Sequence, residues 1–109
     1  MRHAGVRWPL DVPVTCRPKN RGRQLIHGRT GDIGRGGLLL RLPEALAPGT
    51  RLEITLHAPQ DPLTVVGEVA WVKSPKSHTS EELISHGVRF TSLGPSLSMA
   101  LGSLLAKPL

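Results

Sequence analysis

Arg51-Leu52-Glu53-Ile54-Thr55-Leu56 carries an aliphatic side chain at every second position, Leu52, Ile54 and Leu56, with polar residues between them. Successive side chains of an extended chain point to opposite faces, so this stretch predicts a strand buried on one side and wet on the other. The same period extends downstream. Residues 63–72 give the longest run, with Leu63, Val65, Val69 and Trp71 on one face and Glu68 on the other. That assignment makes Trp71 a core residue. Between the two runs, His57 to Pro62 holds Pro59, Asp61 and Pro62 and reads as a hairpin connection. Upstream, Pro43 to Gly49 is a loop ending in a Pro-Gly turn, and Leu38 to Leu42 is a strand before it.

Leu10, Val12, Val14 and Cys16 alternate in the same way, and Pro13 on the opposite face marks an edge or a bulge. Arg17-Pro18 and Asn20-Arg21-Gly22 signal a turn, after which a strand runs from about Gln24 to Asp32. Gly34, Gly36 and Gly37 then break the pattern. Lys73 to Ser85 is polar and Ser-rich, a predicted mobile loop, and His86 to Ser92 is the last strand, with Val88 and Phe90 inward. After Gly94-Pro95 the period becomes helical: Leu97, Leu101, Leu104 and Leu105 share one face, although Gly102 weakens such a helix by about 1 kcal/mol. The fold class is therefore all-β, a six-stranded antiparallel β-barrel with a C-terminal α-helix. One domain spans residues 1–109: an N-terminal arm at 1–9, the barrel at 10–92 and the helix at 94–106. The start of the arm has no hydrophobic periodicity and contains Gly5, so residues 1–7 read as mobile in the absence of a ligand.

The chain has 109 residues, 39% of them hydrophobic, enough for one core and too few for two. No apolar run is long enough to cross a membrane, so membrane insertion is not expected. The single cysteine, Cys16, excludes an internal disulfide framework and fits a reducing cytoplasm. Lys and Arg number 14 against 8 Asp and Glu, for a net charge of +6. Ten of those cations are Arg, and seven of the ten lie in residues 1–35. The guanidinium fork matches phosphate oxygens and the guanine edge, so the N-terminal third points to an anionic partner.

Four segments, in order, resemble the PilZ domain: Arg7-Trp8-Pro9-Leu10-Asp11-Val12-Pro13-Val14, Asp32-Ile33-Gly34-Arg35-Gly36-Gly37-Leu38, Gly67-Glu68-Val69-Ala70-Trp71-Val72 and Gly87-Val88-Arg89-Phe90. The resemblance covers nearly the whole chain. It implies the PilZ-type barrel and a bacterial cytoplasmic signalling domain that binds cyclic di-GMP, with no cofactor. The family's signature is an Arg-x-x-x-Arg segment before the first strand and an [Asp/Asn]-x-Ser-x-x-Gly turn. Arg7 falls on the second Arg. His3 stands where the first would be, and Arg2, one position away, takes that role if the arm slips at Gly5. Asp32 and Gly37 match, and Gly34 replaces the Ser. The ligand-binding set implied by the resemblance is thus Arg2, Arg7, Asp32, Gly34 and Gly37. The chemistry is coherent. An Arg fork meets guanine O6 and N7, a carboxylate accepts from the base N–H groups, and a glycine turn lets backbone approach phosphate.

Each of these residues also has a purely structural use. Asp32 suits an Asx turn, the glycines suit backbone geometry, Arg35 suits a solvated surface with a phosphate contact as the alternative, and Trp8 suits packing more than stacking. Arg17 and Arg21 form a literal Arg-x-x-x-Arg, but after the first strand, which makes them a decoy. The alternative function is a PilZ-type adaptor that binds a protein partner and ignores the nucleotide, favoured by His3 and Gly34. A protein partner of unknown identity is expected in either case. Nucleic-acid binding is not expected, because single-strand sites need stacking aromatics and the chain has one Phe, two Trp and no Tyr. Catalysis is not expected either. The five histidines lack metal-ligand spacing, and no nucleophile elbow or phosphate-binding Gly-Lys-[Ser/Thr] loop occurs.

Overall fold

Leu52, Ile54 and Leu56 are fully buried while Arg51 and His57 are exposed, so the alternation that predicts this strand also orients it. The computed structural model describes residues 7–59, 61–75 and 82–92. Within them lie seven strands: β1 (Trp8–Pro9), β2 (Pro13–Pro18), β3 (Ile26–Ile33), β4 (Gly37–Leu42), β5 (Arg51–His57), β6 (Pro62–Lys73) and β7 (Ile84–Ser92). All pairings are antiparallel, in the order β1-β3-β2-β5-β6-β7-β4, and β4 returns to pair with β3. That last pairing closes β2 to β7 into the six-stranded barrel the alternation predicts. The C-terminal helix expected at 94–106 lies outside the described residues, as do Arg2, His3, Gly5 and most of the loop between Lys73 and Ser85.

The extra strand β1 has a local cause. β1 and β2 lie along the same side of β3, but Trp8 pairs with Ile33 and Pro9 with Asp32, whereas Pro13 pairs with Arg29, so one extra residue separates the two registers. Such a bulge interrupts the ladder. Thr30, fully buried, repairs it: its hydroxyl accepts from the Val12 N–H at 3.0 Å and donates to the Leu10 carbonyl. Trp8 and Pro9, assigned by the sequence to the arm, are thereby held to the barrel. Between β2 and β3 the predicted turn is a short 3-10 segment, Lys19–Arg21, closed by Gly22 at φ 64°.

Inside the ring, alternate residues of every barrel strand meet in one core, including Val14, Ile33, Leu40, Ile54, Val65 and Val88. Leu10, Val12 and Leu63 pack partly buried at its margin. Each fully buried aliphatic side chain contributes about 1.5–3 kcal/mol, which is how a small barrel offsets its chain entropy. Cys16 is in this core, and burial, together with the nearby Glu44 carboxylate, pushes its thiol up to about 11.

Trp71 does not follow the period. The β6–β7 pairing slips between Val69, opposite Val88, and Trp71, opposite Gly87, so Ala70 is an extra residue. A bulge of this kind reverses the facing of everything beyond it. Trp71 therefore stands on the outer surface, 47% exposed, and the core placement predicted for it is incorrect.

Among the described residues the other buried polar one is His86, fully inaccessible and hydrogen-bonded at both ring nitrogens. Nε2 accepts from the Leu46 N–H at 3.0 Å, and Nδ1 lies 3.0 Å from the Ile84 carbonyl and donates to it. A proton on Nε2 would set two donors against each other. Burial lowers the pKa of His86 below its usual 6.5, against the opposing pull of hydrogen bonds with the Ile84 and Leu40 backbone. The unfolded chain then takes up that proton at higher pH than the folded one. Stability contributed by the neutral ring is complete above about pH 6.5 and declines as pH falls from there through the folded value. Melts between pH 8 and 5 are expected to show this decline, and His86→Gln, which cannot titrate, is expected to flatten it. An unchanged slope in the variant would refute the assignment.

Candidate functional site

On the outside of the barrel, where the end of β3, the turn into β4, the last part of β6 and the middle of β7 meet, an open cleft of about 360 Å³ is lined by Arg7, Asp32, Gly37, Leu39, Trp71 and Arg89, among others. Three of the residues singled out from the sequence, Arg7, Asp32 and Gly37, converge there from separate segments. Arg7 precedes β1, and the β1–β3 pairing delivers it to Asp32: its Nε lies 2.7 Å and its Nη2 2.5 Å from Asp32 Oδ1. Both bonds fall on one carboxylate oxygen, so Oδ2 has no hydrogen-bond partner among the described residues. The pair is partly exposed, 42% for Arg7 and 35% for Asp32, so it adds little to stability, up to about 1 kcal/mol, and fixes orientation more than it holds the fold.

The glycine turn shapes the floor. Gly34 donates its N–H to the Gly37 carbonyl at 2.9 Å, and Phe90 N–H reaches the Gly36 carbonyl at 2.9 Å, which ties the turn to β7. A Cβ at Gly37 would overlap the Val88 carbonyl oxygen, so only glycine permits β4 to approach β7 this closely. Gly34 is buried beneath the turn and does not line the cleft. Arg35, exposed at the turn, and Trp8, half-buried in β1, do not line it either. Arg2 lies outside the described residues.

The decoy arginines are elsewhere and already paired, Arg17 with Glu53 and Arg21 with Glu44 at 2.5 Å. Two cleft residues escape the sequence reading. Trp71 lies with its indole over Gly87, where any side chain would collide with the ring, and it presents a face to the cleft. The slipped register hides it; the paired glycine in Gly87-Val88-Arg89-Phe90 is the one available hint. Arg89 faces outward beside it, held only loosely by Glu68 at 3.5 Å, with 62% of its side chain exposed. The cleft thus offers two guanidinium groups, a carboxylate with a free oxygen and an aromatic face. That set suits a planar, hydrogen-bonding, anionic ligand. Among the described residues no cluster of His, Cys, Asp and Glu is arranged to hold a metal ion.

The sequence model described as "PilZ domain" matches residues 2–107. No curated protein matches the chain. Solved structures with the same fold include the PilZ domain of YcgR from Escherichia coli, described with c-di-GMP, at 18% identity and a TM-score of 0.74, the likeness covering 95% of this chain and 88% of that one. The PilZ domain of CeSA from a cellulose-synthesizing bacterium is 17% identical, with a TM-score of 0.66 over 92% of this chain and 94% of that one. The inhibitor of motility MotI/DgrA of Bacillus subtilis is 15% identical, with a TM-score of 0.72; the likeness covers 99% of this chain and 54% of that one.

Proposed function

The chain belongs to the PilZ domain family, and from that premise we propose that it is a cytoplasmic signalling receptor whose cleft binds cyclic di-GMP. The observation that carries the reading is the meeting of Arg7, Asp32 and Gly37 with the exposed Trp71 in one cleft. The arginine fork of Arg7 suits guanine O6 and N7. Oδ2 of Asp32 suits the base N–H donors, and the two partners of the ion pair keep each other aimed. Trp71 supplies a surface on which a base stacks, and Arg89 answers a phosphate once it leaves Glu68. Arg2 is proposed to complete the arginine pair from the arm, over residues 1–7, closing on the ligand at an ordering cost. Nothing in the set calls for bond making or breaking. It is a binding site without catalysis and without a cofactor.

Calorimetric titration of the 109-residue chain with cyclic di-GMP at low salt tests the reading directly, with Trp71 emission as a second readout. Saturable heat with an emission change supports it; a flat titration of folded protein overturns it. The second reading, an adaptor for a protein partner, is favoured by Gly34, which supplies no hydroxyl where the family signature has Ser. Gly34→Ser separates the two. The only described glycines in the left-handed region are Gly22 and Gly49, so Ser meets no φ penalty at position 34. A Ser hydroxyl that reaches the cleft from this buried position is expected to tighten cyclic di-GMP binding up to about tenfold, and a melt of the variant checks that the turn takes the side chain. No response in wild type or variant leaves the adaptor.

A further inference from the structure

One row of the barrel's outer surface, beside the cleft, concentrates positive charge. Arg29 on β3 pairs with Arg41 on β4, Arg41 pairs with Ser85 on β7, and Ser85 pairs with Lys73 on β6. Residues paired directly across antiparallel strands share a face, so three cations and one hydroxyl stand in line across four strands. Neighbouring strands are about 4.8 Å apart, so the row spans roughly 14 Å. Two arginines opposite each other repel and cost stability. Only Arg29 is answered, by Asp11 at 2.6 Å. Arg41 and Lys73 have no acidic partner among the described residues, unlike Arg7, Arg17, Arg21 and Arg89, and Glu82, three residues before Ser85, already has an interaction of its own. The Arg41 guanidinium is laid over Gly31, its Cζ 3.3 Å from where a Cβ would be, so it is seated on the sheet rather than loose. Leu83, two residues before Ser85 along the chain and so beside the row, leaves 36% of its surface exposed.

We propose that the Arg29–Arg41–Ser85–Lys73 row is a docking surface for an acidic segment of a partner protein, with Leu83 as its apolar anchor. Carboxylates of an extended chain recur on one side about every 6.8 Å, a spacing these long side chains bracket. Charge complementarity names an anion; the exposed leucine favours a polypeptide over a nucleic acid, because the neighbouring aromatic, Trp71 two residues before Lys73, is assigned to the cleft. The surface is distinct from the residues assigned to cyclic di-GMP, and the inference does not depend on what the cleft binds.

The test uses the full chain without nucleotide and a short fluorescein-labelled peptide of glutamates with one central leucine, followed by anisotropy at about 50 mM salt. Wild type is expected to bind saturably. Arg41→Gln with Lys73→Gln is expected to weaken binding roughly 3- to 30-fold while melting like wild type or slightly higher, because the opposed arginines are relieved. Ser85→Asp sets a carboxylate between the two cations and is expected to give a loss of the same size. Lys19→Gln with Arg23→Gln removes equal charge at the turn between β2 and β3 and is expected to change affinity less than about twofold. Equal losses from both charge-matched pairs, or no binding by wild type, would overturn the proposal. So would tighter, row-dependent binding of a single-stranded oligonucleotide, which would reassign the surface to nucleic acid.

Discussion

Gly37→Ala is expected to destabilise the domain by about 3 kcal/mol or more, whereas Gly36→Ala, one residue away, is expected to change it by less than about 0.5. The contrast isolates one cause. A methyl group at Gly37 points into the Val88 carbonyl oxygen and the backbone behind it, which cannot turn aside as a flexible side chain would. At Gly36 a Cβ meets nothing, and neither glycine has a left-handed backbone. For a chain of about this size 1 kcal/mol moves a melt by roughly 4–8 °C, so the two variants should separate by more than about 10 °C. Equal melts would mean that β4 and β7 yield, and that glycine is not what sets their approach. A partly folded Gly37→Ala is also expected to bind cyclic di-GMP poorly, because the turn that floors the cleft hangs from the β4–β7 pairing.

The other large effect is expected in binding, with little change in stability. Arg7→Ala removes the guanidinium that Asp32 aims into the cleft, and it is expected to weaken cyclic di-GMP binding by about 1.5–3 kcal/mol, roughly 10- to 150-fold. Because the Arg7–Asp32 pair is partly exposed, its loss should cost the fold no more than about 1 kcal/mol. Arg17→Ala is the matched control. It lies in the literal Arg-x-x-x-Arg but pairs with Glu53 outside the cleft, so its affinity should stay within about twofold of wild type. Calorimetry on the three proteins decides the matter: equal affinities for Arg7→Ala and wild type would remove Arg7 from the site.

Much of the barrel is legible in the sequence because half-buried strands write their faces in a period of two. Leu52, Ile54 and Leu56, or Val14 and Cys16, need no further information to be assigned inward. What escapes is wherever an extra residue enters a strand. At Ala70 the count shifts by one, and an indole that the pattern sends to the core stands over Gly87 on the surface. Between Pro9 and Pro13 a second irregularity, sealed by the Thr30 hydroxyl, turns the end of a predicted arm into β1. Both irregularities border the candidate site, and together they decide which side chains reach it. Arg7 and Asp32 are readable through the family signature. Trp71 and Arg89 are not, because what recruits them is register between strands, which no single segment encodes.

The burial of Cys16 makes the native chain almost blind to alkylating reagents. A thiol pushed up to about 11 exposes roughly one thiolate in ten thousand at neutral pH, and the barrel wall shields even that fraction. A cysteine introduced on the exposed surface, at Ser74 beside the row or at Arg35 beside the cleft, will therefore take a maleimide dye alone, with no need to delete the original. Reporters of ligand and partner can be placed on the two neighbouring surfaces of an otherwise unaltered protein, and their signals read independently.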